Sequence, residues 1–271
     1  MRLSVITDEI SDDIATALRV AGSLDVTAVE IRVVDGHNIV HHPEAAWRRL
    51  ARELQAGGFT CPVLDSPFLK ETPVPGDPDW STVDWSTLDR AVEVAGVLGA
   101  PTVRVFSGRR QDRADVSDWL VDVLAEAASR AASGGRRIAV EIEHVCTIAT
   151  AAEALALRER AGTPDWGYVL DPGNESHLTG RPAQSGPVAA LAPSIRHVHV
   201  KDVDRDGGWV RVGSGMVGWD AQLAALRDAG YAGFLSMETH YATPPAGLET
   251  ATRDSVESLR ELARTAGVGH L

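Results

Sequence analysis

The sequence predicts one (β/α)8 barrel, a single TIM barrel domain of the α/β class spanning residues 1–271. Three observations carry that expectation. Short apolar, β-branched runs alternate with longer stretches whose apolar residues recur at helical spacing. Several of the short runs end in Glu, Asp or His. In a closed parallel barrel the apolar part of each strand fills the core and its last residues reach the mouth. Finally, 271 residues at 44% hydrophobic and 24% charged suit one barrel, and no shift in composition marks a linker. An open doubly wound sheet is the rival. The lack of Gly-x-Gly-x-x-Gly after the first run weakens its nucleotide-binding form.

The elements follow in order. Leu3 to Ile6 is the first strand, and Ser11 is the expected N-cap of a helix carrying Ile14, Leu18 and Ala21. Ala28 to Ile31 is the second strand. A helix around Trp47, Leu50 and Leu54 follows and stops at Gly57-Gly58. After the third strand, Cys61 to Leu64, a long connection from Ser66 to Asp84 holds Pro67, Pro73, Pro75 and Pro78, the kind of loop that serves as a lid or binding loop. A helix around Leu88, Val92 and Val97 leads to the fourth strand, Thr102 to Phe106. Another, with Trp119, Leu120, Val123, Leu124 and Ala127, leads to the fifth at Ile138. Ala152 to Ala161 is helical, and the sixth strand ends at Asp171. A helix near Val188 to Leu191 precedes the seventh strand at His197. Trp219 to Ala229 is helical, the eighth strand ends at Glu238, and a last helix runs from Leu248 to Ala266. The count is eight strands and eight helices in strict alternation.

The net charge of −12 repels phosphate backbones and makes nucleic acid a poor partner. No apolar run is long enough to span a membrane, and the first residues lack the apolar core of a signal peptide. Two cysteines, Cys61 and Cys146, lack metal-ligand spacing and fit a reducing compartment, so a cytoplasmic location is expected.

The chemistry gathers at the strand ends. Ile138 to His144, Gly167 to Asp171, Arg196 to Asp202 and Gly233 to Glu238 together offer Glu, Asp, His and Glu from separate strands, a donor set suited to a divalent cation with open positions. Residues two apart share a face, so His197 pairs with His199 and Glu141 with Glu143. Spacing alone leaves open which member of each pair binds a metal. His197 lies deeper and reads as a core histidine. His144 reads equally as an acid–base group or a helix cap. Lys70 and Lys201 reach substrate oxygens or solvent, and Glu30 and Arg32 pair with each other or read substrate hydroxyls. Trp80 and Trp85 wall a sugar ring or simply pack their loop onto the barrel. His37, His41 and His42 read as surface residues.

Several motifs together resemble the xylose isomerase-like barrels, a superfamily of sugar isomerases and epimerases that also includes endonuclease-IV-type repair nucleases. They are Ile138-Ala-Val-Glu141-Ile-Glu143-His144, Leu170-Asp171-Pro172-Gly173-Asn174, His197-Val-His199-Val-Lys201-Asp202, Gly213-Ser-Gly215…Trp219 and Ser236-Met-Glu238-Thr-His240. Val5-Ile-Thr-Asp8-Glu9 and Ser66-Pro67-Phe68-Leu-Lys70 extend the likeness over almost the whole chain. The resemblance implies Glu141, Asp171, His199 and Glu238 as metal ligands. It implies Mn²⁺ as the ion, with Mg²⁺, Co²⁺ or Zn²⁺ as substitutes, and Glu141 and Glu238 as the acid–base pair. Arg205, six residues after the ligand His, stands where ketose 3-epimerases of the family place a substrate contact. Asn174 replaces a His that those enzymes use, and Ser214 replaces the Glu of a Gly-Glu-Gly. Arg205, Asn174, Lys201, His144, Lys70 and Glu30 are the candidate substrate contacts.

The implied reaction acts on a ketose or related polyol by proton abstraction next to a carbonyl, through an enediolate. Proton return to the other face epimerises, return to the neighbouring carbon isomerises, and loss of a β-leaving group makes a lyase of keto-inositols or 3-keto-glycosides. The nuclease reading lacks the extra histidines at Leu64-Asp65-Ser66 and Phe106-Ser107-Gly108. A non-catalytic sugar-binding barrel would have no use for four intact ligands. A homo-oligomer is expected by analogy with related barrels.

Overall fold

The structure is a computed structural model that describes residues 1–72, 80–111, 117–242, 247–269 and 271. Eight parallel strands form one sheet: β1 (Arg2–Ile6), β2 (Val29–Glu30), β3 (Val63–Asp65), β4 (Thr102–Val105), β5 (Arg137–Glu141), β6 (Gly167–Leu170), β7 (Ile195–Val200) and β8 (Phe234–Met237). Each pairs with its sequence neighbours except across β2 and β3, and β1 also pairs with β8. The seam between β2 and β3 is closed by parallel bridges, Ala28 with Thr60 and Ile31 with Leu64. There the Val29 N–H donates to the Thr60 carbonyl and the Asp65 N–H to the Ile31 carbonyl, both at 2.9 Å. The sheet is therefore the expected (β/α)8 barrel.

Helices α1 (Ile14–Ser23), α2 (Glu44–Ala56), α3 (Trp85–Leu98), α4 (Asp118–Ser133), α5 (Ala151–Ala161), α6 (Pro172–Thr179), α7 (Gly186–Leu191), α8 (Trp219–Asp228) and α9 (Gly247–Thr265) follow the strands. Their apolar stripes, such as Trp47, Leu50 and Leu54 of α2, are buried against the sheet. The expected N-cap of α1, Ser11, is displaced. Asp13 takes that role because its carboxylate accepts the Thr16 N–H at 2.9 Å, while Ser11 Oγ only accepts from Asp13.

Strict alternation fails at α6. The chain makes two helices between β6 and β7, because Asp171 caps the first of them through the Asn174 N–H and Pro172 occupies its opening turn. Asp-Pro followed eight residues later by Gly180 was the available signal. The helix hides from a periodicity search because its buried residues, Pro172 to Ser176, are polar or small and form no apolar stripe.

Two short antiparallel ribbons rise from the mouth, Val33–Val34 with His37–Asn38 and Asp202–Val203 with Trp209–Val210. In the long third connection, Pro73, Pro75 and Pro78 lie outside the described residues. Beside them, Trp80 and Phe68 both pack on Trp85, with ring centroids 5.8 and 5.6 Å apart, which is the packing role rather than a free wall. His37 and His41 are exposed and His42 is half-buried. Cys61 and Cys146 are buried free thiols. No described helix is long and apolar enough to cross a membrane.

Candidate metal centre

Strand register sets the level of the site. Glu141 ends β5 opposite Val169, Asp171 follows the last residue of β6, His199 pairs with Ser236 of β8, and Glu238 follows β8 with its N–H on the Val200 carbonyl. Four side chains from four consecutive strands thereby converge, their ligand atoms all within 4.8 Å of one another and all buried. His199 Nδ1 lies 3.2 Å from both Glu141 Oε1 and Glu238 Oε2 and 3.7 Å from Asp171 Oδ2.

Charge at this point is balanced from three sides. Lys201 is only 1% exposed, and its Nζ lies 2.6 Å from both Asp171 Oδ2 and Glu238 Oε2. It is a buried cation, not a solvated rim lysine. Gly173 makes room for it, since a Cβ there would sit 2.5 Å from Lys201 Cγ. Arg104 of β4 bridges Glu141 at 3.1 Å and Asp65 at 3.2 Å. Arg32 holds Glu238 at 2.6 Å, Glu9 at 2.6 Å and Asp8 at 2.7 Å. Arg32 does not pair with Glu30.

Burial alone would neutralise these carboxylates, but the cations outweigh it. Glu238 is held well below the usual range, with Lys201, His240 and His199 overcoming its desolvation. Glu141 is lowered, with Arg104 and His199 overcoming its burial. His199 moves the other way: burial opposes its charge, yet Glu30, Glu141 and Glu238 raise it well above an ordinary imidazole. The centre of the cluster therefore favours positive charge. Three carboxylates and one imidazole are a hard O/N donor set that suits a divalent cation, so these residues fit a metal ion.

The other sequence candidates fall into two groups. Asn174 is brought to the cluster: its Nδ2 donates to Asp171 at 3.0 Å and its Oδ1 meets His144 Nδ1 at 3.1 Å. His144 Nδ1 also lies 2.6 Å from Glu143 Oε1, and the hydrogen bond to Glu143 raises this imidazole despite its burial. Lys70 reaches the other oxygen of Glu143 at 3.3 Å. Two candidates lie elsewhere. Glu30, expected to touch substrate, is fully buried below His199, because His197 and His199 draw its carboxylate inward. Arg205 sits exposed in the turn of the 202–210 ribbon and lines a separate cavity of about 410 Å³ with Pro182, Asp204 and Ser214.

Sequence reasoning gave no role to several residues at the mouth. His177 stacks on Trp209 at 4.9 Å and 15°, His144 meets His177 edge-on at 4.7 Å, and Trp209 meets His240 at 5.3 Å. Lys201 Nζ lies 5.5 Å from the Trp209 ring. His240 adopts φ +57°, uncommon for a residue with a Cβ, because Glu9 accepts both its N–H at 2.7 Å and its Nδ1 at 2.9 Å. The signal for Arg104 was present, a charged residue inside an apolar strand. Trp209 and His177 carried no such mark, since loops bring them together.

The comparisons agree with this architecture. A zinc-binding IolI protein superimposes with TM-score 0.79 at 20% identity, covering 98% of this chain and 99% of that one. D-psicose 3-epimerase from Clostridium cellulolyticum H10, solved with D-tagatose, gives 0.74 at 15%, covering 97% and 99%. The probable 3-DHS dehydratase AsbF from Bacillus anthracis gives 0.73 at 17%, covering 93% and 98%. At such identities the likeness speaks for the fold. No curated protein matches the chain. The family model described as xylose isomerase-like TIM barrel matches residues 18–262, and the chain belongs to that family.

Proposed function

We propose that the protein is a metal-dependent isomerase or epimerase of a ketose or related polyol, with Glu141, Asp171, His199 and Glu238 holding one divalent ion, Mn²⁺ by family resemblance. The observation that carries this reading is the convergence of those four buried donors within 4.8 Å. When bound, the ion would polarise a carbonyl and its neighbouring hydroxyl. Glu141 and Glu238 come from different strands, β5 and β8, and serve as the acid–base pair that removes and returns the proton. Lys201 supplies a fixed positive charge beside the forming oxyanion. Asn174 orients Asp171 and His144, while Lys70 meets the distal hydroxyls.

A lyase acting on a cyclic keto-sugar is the second reading. It is favoured by His144, a third proton-transfer group at the mouth, paired with Glu143 at 2.6 Å and 28% exposed. Solvent exchange tests both. Metal-loaded protein is incubated in D₂O with free ketoses, keto-inositols and 3-keto-glycosides. Deuterium next to a carbonyl, only with metal, is expected. The accompanying epimer, isomer or eliminated fragment separates the readings. Label appearing equally with the Glu141→Gln and Glu238→Gln variants would refute the acid–base assignment.

A further inference from the structure

Below the cluster, one carboxylate spans two imidazoles of the same strand. Glu30 Oε2 lies 2.8 Å from His197 Nε2, and Oε1 lies 3.1 Å from His199 Nε2. All three side chains are fully buried. His197 and His199 share the inward face of β7, with perpendicular rings 5.6 Å apart. His197 Nδ1 has no partner. A buried N–H without an acceptor costs more than a bare lone pair, so His197 carries its proton on Nε2 and donates it to Glu30. The other Glu30 oxygen then takes the Nε2–H of His199. That leaves Nδ1, the nitrogen 3.2 Å from Glu141 and Glu238, facing the cluster, where a bound ion would take the place of its proton.

We propose that Glu30, braced by His197, is the positioning residue that fixes the His199 ring and its tautomer so that Nδ1 faces the cation site. This rests on the reading of His199 as a ligand. It also explains why the seventh strand carries two histidines: one faces the ion and the other keeps the shared carboxylate from rotating. A histidine ligand whose second nitrogen donates to a carboxylate is held in one orientation and is the more basic for it.

The test uses full-length protein with ¹⁵N-labelled histidine, loaded with ¹¹³Cd²⁺. Cadmium splitting at His199 Nδ1, with a slowly exchanging proton on Nε2, is expected; splitting at Nε2 would overturn the assignment without any variant. Glu30→Gln offers one acceptor where two are needed and should weaken Cd²⁺ binding about 10–100-fold with loss of the Nε2 proton signal. His197→Gln, which keeps an N–H donor toward Glu30, should restrict the loss to about three-fold. Unchanged affinity and tautomer in Glu30→Gln would overturn the inference alone. A wild-type chain that takes up no Cd²⁺ would remove the cation reading and this inference with it.

Discussion

The floor and the rim of the barrel mouth are built on different terms. On the floor, Glu30, Asp65, Arg104, His197 and His199 are buried; Asp65 and Arg104 join adjacent strands, while Glu30 of β2 reaches across the barrel to His197 and His199 of β7. On the rim, Lys70, His144 and His240 remain 39%, 28% and 29% exposed; Glu143 anchors the first two, and Glu9 and Glu238 the third. The floor orients the donor set through paired contacts, and its charges have no solvent to fall back on. The rim keeps imidazoles and an indole at the boundary with water, where small adjustments are cheap. Under the proposed function, the buried layer would hold the cation and the more exposed layer would face substrate.

The largest effect expected from this contrast is at Arg104. Arg104→Met leaves Asp65 and Glu141 buried without their cation and should destabilise the fold by about 3–5 kcal/mol, read by urea unfolding. A loss under 1 kcal/mol would show that the floor is not held by paired charge. Turnover responds next: Glu141→Gln and Glu238→Gln should each lower it by about 10²–10⁴-fold with the fold intact.

Glu9 ties the rim to the floor. Burial pushes its carboxyl up, but the hydrogen bond and charge of His240, together with Arg32, hold it down at about 2. A carboxyl lowered on folding stabilises above its unfolded value and loses that contribution as pH falls through its folded value. Wild-type protein should therefore lose stability between pH 4.5 and about 2, and Glu9→Gln should show a shallower acid limb across that window. Superimposable limbs would remove Glu9 as a link. The smallest effect is expected at Arg205. Exposed in its turn and away from the cluster, it should change stability by less than about 0.5 kcal/mol on truncation to Ala, with turnover unchanged.

The same contrast explains what was legible in the sequence. Floor residues lie on strands, where the period of two and the parallel register turn spacing into position. The strand ends offered Glu, Asp, His and Glu as donors, and the family resemblance singled out Glu141, Asp171, His199 and Glu238 among them. Partners were less legible. Glu30 is drawn to His197 and His199 rather than to Arg32, a choice made by neighbours remote in the chain. The rim was least legible, because His177 and Trp209 meet only after α6 and the 202–210 ribbon fold toward each other. α6 itself shows that a helix whose buried residues are polar or small escapes a periodicity search even when its cap and stop residues are plain.

Calorimetric titration of the metal-free chain with Mn²⁺ and Zn²⁺ addresses the four-donor site most directly. One ion per chain is expected, with binding lost in Asp171→Asn and His199→Asn and retained in Arg205→Ala. Saturable binding that survives both of the first two substitutions, or no binding by the wild-type chain, would contradict the assignment of this cluster as a metal centre.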